Sequence, residues 1–286
     1  MRVALVTHAE LPDLAADDRL LLAPLASLGV TGVPAVWSAP DVDWAGFDAL
    51  MIRSCWDYHL DPARFFGWVA HVETLGVPVW NPPAILRWNS EKGYLRDLAA
   101  RGATVIPTTW VGPGDAPPLR QVLHDAGCDD VVIKPAVSAS ARNTWRTSRA
   151  RADVDDARFR AAAQAQQLLV QPYVAAIAEH GEWSLLFAAG RYSHAVIKRP
   201  RSGDFRVQEH LGGTTTHATP PSFVIDEARR IVQSVGTALL YARVDGCVQG
   251  GRFHLMEFEA LEPSFFLVTD TAAPMRFAEA IAAALR

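Results

Sequence analysis

The stretch RVDGCVQGGRFHLMEFEALEP, residues 243–263, constrains the fold of this chain more tightly than any other. An apolar run enters Asp245, Gly250 and Gly251 make a turn, and residues 253–258 return to deliver Glu257 and Glu259. Successive side chains of an extended chain face opposite sides, so Glu257 and Glu259 point the same way. A hairpin partner could hold Asp245 beside them. Three carboxylates on one face repel each other unless a cation lies between them. Hard oxygen ligands of this kind suit Mg²⁺, held together with the phosphates of a substrate. The other reading of the same spacing is an edge hairpin with a solvated acidic face, which the apolar neighbours disfavour.

The chain has 286 residues, enough for two or three compact units. Its net charge of −4 implies no general attraction to nucleic acid or an anionic membrane. Cys55, Cys128 and Cys247 are an odd count without paired spacing and read as reduced thiols, the state of a cytoplasmic protein. Met1 leads directly into a strand-like segment, and no uninterrupted apolar run approaches membrane-spanning length. A soluble, cytoplasmic protein is expected.

The first third alternates strand-like and helix-like segments. Residues 2–7, 32–37, 47–53 and 77–80 read as strands, and residues 19–28 and 62–75 as helices between them. This rhythm predicts a doubly wound parallel sheet, in which ligands sit beyond the carboxyl ends of strands. Arg53, Ser54, Trp56, Asp57 and Tyr58 follow such an end. Arg53 could grip a carboxylate and the aromatic residues could wall a pocket, or the cluster could be a buried aromatic loop before a helix capped at Asp61-Pro62. After the break at Asn81-Pro82-Pro83, residues 91–100 read as one helix with Ser90 as its N-cap and Gly102 beyond its end. Lys92 would then lie in the first turn, against the helix dipole, either solvated or aimed at an anion.

A second unit spans residues 105–174: a strand (105–111), a helix (119–126), the strand VVIKP, a loop of small residues (136–141), a helix (153–167) and the strand LLVQPYV. Lys134 ahead of a Ser/Ala loop suits a phosphate cover, because small residues let backbone N–H groups approach phosphate oxygens. The P-loop pattern is absent. The last unit opens with a hairpin at residues 182–198, turning at Gly190-Arg191. Next comes DFRVQEHLGG (204–213), whose Arg206, Gly212 and Gly213 suit an anion site near backbone. Helices at residues 225–240 and 275–285 flank the acidic hairpin. No His spacing for zinc and no GxSxG element is present, and a structural hydrogen bond is the simplest role for His194 and His210.

Taken in order, these residues resemble the ATP-grasp superfamily. The matching set is Lys92, Lys134 with its small-residue loop, the strand through Gln171, Tyr173 and Val174, Lys198, Asp204-Phe205-Arg206 with Gly212-Gly213, Asp245, and Glu257-Phe258-Glu259. The DFRxxxHxGG stretch is similar to ribosomal-modification glutamate ligases and bacterial glutathione synthetases. Arg53-Ser54 with Trp56-Asp57-Tyr58, Trp88-Asn89, Lys134-Pro135, Gly181-Glu182-Trp183-Ser184 and Glu262-Pro263 are similar to the O-ureido-D-serine cyclo-ligase group of D-cycloserine biosynthesis. The superfamily's usual Glu-x-Asn pair appears here as Glu257-x-Glu259, a substitution that this group shares.

The resemblance implies an α/β (α+β) ATP-grasp fold. Residues 1–97 would form the N-terminal doubly wound domain. Residues 98–175 would form a central lid subdomain, and residues 176–286 a C-terminal catalytic subdomain. ATP would lie between the last two, its adenine against Gln171, Tyr173 and Val174 and its ribose bonded by Glu179. Lys92 and Lys134 would hold the α- and β-phosphates under a flap carrying Ser138 and Ser140. One or two Mg²⁺ ions, or Mn²⁺, would sit on Asp245, Glu257 and Glu259, with Arg206 and Lys198 facing the γ-phosphate as catalytic groups. Arg53, Ser54, Trp56, Asp57, Gly212 and Gly213 would contact a small substrate carrying carboxyl or carbonyl and amine groups. The implied activity is an ATP-dependent carboxylate–amine ligase, working within one molecule or between two. A kinase that stops at the phosphorylated product and a non-catalytic nucleotide-binding module are the rival readings. A homodimer is in keeping with many superfamily members, and neither nucleic acid nor membrane is an expected partner.

Overall fold

The apolar run at the amino end forms β1 (Arg2–Thr7), five of whose six residues are buried. The computed structural model describes residues 1–114, 116–138 and 141–286. After β1 come α1 (Leu22–Ser27), β2 (Thr31–Val36), β3 (Ala49–Ser54), α2 (Pro62–Thr74) and β4 (Val79–Trp80). The strands lie in the order β2-β1-β3-β4 with every pair parallel. Parallel strands covered on both faces read as continuous apolar runs rather than alternating ones, as β1 and β3 do. Pro62 occupies the first turn of α2, and the Asp61 carboxylate accepts the Arg64 N–H at 3.1 Å, a cap that the sequence announces.

The segment after β4 departs from the expected single helix. Pro83 opens α3 (Pro83–Asn89), and a separate α4 (Tyr94–Ala100) follows. Ser90 closes the first helix instead of capping the second: its N–H donates to Leu86 O and its Oγ to Arg87 O. Lys92 therefore lies in the link between helices, where its own N–H donates to Ala136 O at 2.9 Å.

The middle of the chain builds β5 (Thr109–Val111), α5 (Leu119–Asp125), β6 (Asp130–Pro135), β7 (Trp145–Ser148), α6 (Ala152–Ala165) and β8 (Leu168–Pro172). These strands form an antiparallel sheet in the order β5-β8-β6-β7. The short strand β7 has little apolar signal of its own and is held by its ladder to β6, with Thr147 across from Val131. The last part carries α7 (Ala175–His180), β9 (Glu182–Ala188), β10 (Arg191–Arg199), β11 (Thr214–His217), α8 (Ser222–Ser234), β12 (Tyr241–Gln249), β13 (Arg252–Glu259) and α9 (Ala273–Ala284). Its antiparallel sheet runs β11-β10-β9-β12-β13. On α8, Val224, Ala228, Ile231 and Val232 share one face, are buried, and pack against Leu185, Phe187 and Val244. On α9, Phe277, Ala278 and Ile281 pack with Val3, Leu5 and Met51 of the first sheet and Leu186 of the third. The terminal helix thus joins the two sheets through one core.

Two asparagines bind the amino-terminal part to the β12–β13 hairpin. Asn81 donates through Nδ2 to Tyr241 O (2.9 Å) and Ala260 O (2.8 Å) and accepts the Leu240 N–H (2.8 Å). Asn89 accepts from the N–H groups of Ala260 (2.7 Å) and Leu261 (3.0 Å) and donates to Phe258 O (2.7 Å). Each side-chain amide replaces a missing neighbouring strand at the root of the hairpin, satisfying buried backbone groups that would otherwise lack partners.

The cluster beyond β3 is split by the structure. Arg53 is 1% exposed and is a packing hub instead of a substrate group. Its guanidinium donates to Asp18 (2.8 and 3.0 Å) and to Pro263 O (2.7 Å) and lies 3.4 Å from the centre of the Phe265 ring. Ser54 Oγ donates to the same Asp18, and Asp57 accepts Trp37 Nε1–H at 2.9 Å. Ser54 and Asp57 are thereby spent inside the amino-terminal part, and Arg53 ties that part to the chain leaving β13. Removing one member of a buried pair leaves the other charge uncompensated, so Arg53→Met should lower the unfolding free energy by about 3–5 kcal/mol. A urea-melt difference below about 1 kcal/mol would refute the assignment.

His194 on β10 is 2% exposed. Its Nε2 faces Phe265 O and its Nδ1 faces Ser193 Oγ, both at 2.9 Å. Burial pushes its pKa down to about 4, although the Phe265 carbonyl favours the charged ring; Asp270 and Arg276 act in opposite senses. The unfolded ring takes its proton near the ordinary value of 6.5, so between pH 6.5 and about 4 the unfolded state binds more protons than the folded one. The contribution is therefore complete above pH 6.5 and lost as pH falls towards 4. Unfolding curves of wild type and His194→Gln, measured across that window, should converge by roughly 2–3 kcal/mol towards acid pH. A constant difference between the two curves would exclude this role.

Candidate active site

In the β12–β13 hairpin, Gly250 and Gly251 turn with φ of +57° and +73°, a left-handed pair that favours glycine. The resulting register sets Asp245 directly across from Glu257, with Glu259 opposite Arg243. Asp245, Glu257 and Glu259 each offer a carboxylate oxygen, and these oxygens lie within 4.8 Å of one another. An all-oxygen set of three carboxylates fits a hard divalent ion such as Mg²⁺.

Cations from four strands and loops compensate this acidic face. Lys134, at the end of β6, places Nζ 3.2 Å from Glu257, and Lys92 places its own at 3.6 Å. Lys198 on β10 lies 2.5 Å from Glu182 and 3.5 Å from Asp245. Arg243 donates from Nε to Asp245 (3.0 and 3.1 Å) and also reaches Glu259. Burial favours protonation of Glu257, but Lys92 and Lys134 outweigh it and hold that carboxyl far below the usual range. For Glu259 burial wins: despite Arg243, and with Asp245 and Glu257 adding their repulsion, its pKa is pushed up to about 7. Two glutamates on one face thus differ because one has two lysines and the other shares an arginine.

These groups line a cleft of about 500 Å³ between the second and third sheets and the amino-terminal part. Val174 packs with Ile177 and Met256 in the lining that also holds Gln171 and Tyr173, and Trp56, whose indole N–H donates to Glu262 O at 3.1 Å, lines the cleft with Tyr58. Gln171 Nε2 donates to Thr108 Oγ1 (2.9 Å), and Arg146 stacks over Tyr173 (3.7 Å). Ser138 lies in the wall beside Lys92, whose Nζ donates to Ser138 O at 3.2 Å. Ser140 lies outside the described residues.

Lys92, Lys134, Ser138, Gln171, Tyr173, Val174, Lys198, Arg206, Asp245, Glu257, Glu259 and Trp56 all face this cleft. Arg206 does so while folded back onto Asp204 (2.9 and 3.1 Å), which holds the Asp204 carboxyl below its ordinary pKa. Glu179, expected at the ribose, sits instead on the outer side of α7, its side chain 65% exposed beside His180. The acid on the cleft side of that turn is Glu182. Gly212 and Gly213 are not among the cleft walls. Gly213 is needed for packing: a Cβ there would meet Val207 O at 2.2 Å, so the glycine lets the loop lie against β11. Sequence reasoning gave no site role to Arg243, nor to Glu182 and Glu262, which entered only through the family resemblance. Arg243 shares the strand face of Asp245 by alternation and could have been found that way; Glu262 lies beyond β13, where no period applies.

Comparison with known proteins agrees with this architecture. A family model for the N-terminal domain of the D-cycloserine synthetase DcsG matches residues 3–81. The chain is 32% identical over 304 aligned residues to the cycloserine biosynthesis protein DcsG of Streptomyces lavendulae, covering 99% of both. The crystal structure of D-cycloserine synthetase DcsG superposes with a TM-score of 0.90 at 28% identity over the whole of both chains. An ATP-grasp RimK domain protein of Sphaerobacter thermophilus (TM-score 0.70, 18% identity, 98% of both chains) shares the fold. So does the ATP-grasp ligase PsnB, solved with a phosphomimetic variant of its minimal precursor, Mg and ADP (TM-score 0.66, 15% identity, 99% and 98% of the chains). The chain belongs to the DcsG family and has the fold of the ATP-grasp ligases.

Proposed function

We propose that this enzyme activates a substrate carboxylate as an acyl phosphate and joins it to a nitrogen of the same small amino-acid derivative, closing a ring. As a member of its family the chain is an ATP-dependent ligase; the intermediate and the ring are the further step. The observation that carries the proposal is the meeting of Lys92 and Lys134 on Glu257 inside a cleft that also holds Asp245 and Glu259. Cations that grip phosphate and carboxylates that hold a metal are what phosphoryl transfer from ATP requires. Ring closure is supported by the named activity of the DcsG relative, D-cycloserine synthetase.

In this reading Lys92 and Lys134 bind the α- and β-phosphates, with Ser138 and Ser140 in the covering loop. Gln171, Tyr173 and Val174 receive the adenine. Asp245, Glu257 and Glu259 hold Mg²⁺, with Mn²⁺ an alternative, and such an ion supplies charge neutralisation on the phosphate oxygens. Lys198 and Arg206 face the terminal phosphate. The substrate carboxylate oxygen attacks the γ-phosphorus as the bond to ADP breaks. The nitrogen then attacks the acyl carbon, a C–N bond forms, and phosphate leaves. Most of the work is positioning and fixed charge, within walls that keep water from the acyl phosphate.

Turnover should be measured with Mg²⁺, ATP and O-ureido-D-serine beside a panel of amino acids and dipeptides, resolving ADP from AMP. ADP, phosphate and a cyclic product are expected. Accumulation of a stable phosphorylated substrate would identify a kinase, and AMP would overturn the mechanism. Glu257→Gln should lower turnover at least ~1,000-fold with an unchanged melting temperature; wild-type rates in that variant would remove Glu257 from the metal set.

A further inference from the structure

Among the carboxylates that line the cleft, Glu182, Asp245, Glu257 and Glu259 each have a lysine or arginine partner. Glu209 and Glu262 also line the cleft without a hydrogen-bond or ion-pair partner among the described residues; Glu209 is exposed to solvent, whereas Glu262 is half-buried. It is no accidental wall residue, because the backbone around it is fixed. Glu262 O accepts the Trp56 indole N–H at 3.1 Å, and Pro263 O accepts from Arg53 at 2.7 Å. The oxygens that gather within 4.8 Å of one another come from Asp245, Glu257 and Glu259 and include none from Glu262. The backbone of Glu262 is held beside Trp56, and Tyr58 lines the same cleft.

Glu262 is half-buried, and a carboxylate that faces a cleft without a partner attracts a ligand that brings a cation. Aromatic side chains in the same lining favour the same kind of ligand. We infer that Glu262 is the specificity-determining residue that receives the primary ammonium group of an amino-acid-type substrate, anchoring it beside Trp56. This rests on the ligase reading above and adds which substrate group the site recognises. Burial, and then repulsion from Glu259, holds the Glu262 carboxyl above its ordinary pKa in the free protein, and an arriving ammonium is the partner that restores the ionised form. The anchor leaves the substrate carboxylate to lie towards Asp245, Glu257 and Glu259.

The test compares wild type with Glu262→Gln, using O-ureido-D-serine and its N-acetyl derivative, which lacks the charge. Loss of a charge-assisted hydrogen bond should raise KM for O-ureido-D-serine by ~10- to 100-fold, with the loss falling on KM rather than kcat. N-acetylation should cost wild type a similar factor and cost Glu262→Gln little more, since either change removes the same pair. An unaltered KM in the variant, or an equal penalty for N-acetylation in both proteins, would overturn the inference. Loss of Mg·ADP binding in Glu262→Gln at an unchanged melting temperature would also overturn it, placing the carboxylate in the nucleotide site. Failure of the ring-closing reading looks different: wild type would release ADP with another amino acid of the panel. The same comparison on that acid and its N-acetyl form then decides the role of Glu262.

Discussion

Three carboxylates on one hairpin face cannot stand alone in a half-buried cleft, and much of the structure around them exists to neutralise that charge. The compensation comes from separate parts of the chain: Lys92 from the link between two helices, Lys134 from the central sheet, Lys198 and Arg243 from the carboxyl-terminal sheet. The charges that would otherwise drive the hairpin apart thereby tie three parts of the fold to one point. The same cations are of the type that grips phosphate. Under the proposed function a nucleotide and its metal would exchange ion pairs rather than create them, with the lysines turning to phosphate and the carboxylates to the ion. Groups already desolvated and oriented need little reorganisation, which is the condition under which fixed charge is most effective.

The amino-terminal part contributes architecture more than chemistry. Its arginine, Arg53, is spent on Asp18, on the Pro263 carbonyl and on the Phe265 ring, holding the chain that leaves the acidic hairpin. Its aromatic residues Trp56 and Tyr58 line the cleft. A sheet edge loop that looks polar and reactive in sequence is here mostly a set of satisfied internal bonds, with only its aromatic members turned to the site.

The elements most legible in the sequence are those in which local pattern and tertiary environment agree. HLMEFEA alternates because one face of β13 is core and the other is cleft, and the Gly-Gly pair fixes the turn that sets Asp245 across from Glu257. The βαβ rhythm of the first third follows equally from covered parallel strands. What the sequence hid depends on partners distant along the chain. Nothing near Arg53 reveals that Asp18 and Pro263 will claim it. Ser90 looks like a helix start because its neighbours form helices on both sides, and only Pro83 marks the earlier one. Glu179 and Glu182 are three residues apart on opposite sides of a turn, and an acid in that region carries no local sign of which will face the cleft. Strand β7 is short and mostly polar, with Arg146 at its second position, so its existence rests on its ladder with β6.

The two amides of Asn81 and Asn89 have a mechanical consequence. They grip Leu240, Tyr241, Phe258, Ala260 and Leu261, the roots of both hairpin strands, through short buried hydrogen bonds. A side chain bonded in this way cannot slide along a strand as a neighbouring strand could, because a shift in register breaks every bond at once. The distance from the carboxylates of β12 and β13 to the wall of Trp56 and Tyr58 is therefore set like the jaw of a fixed gauge. Under the proposed function a substrate lying between them would be measured by length.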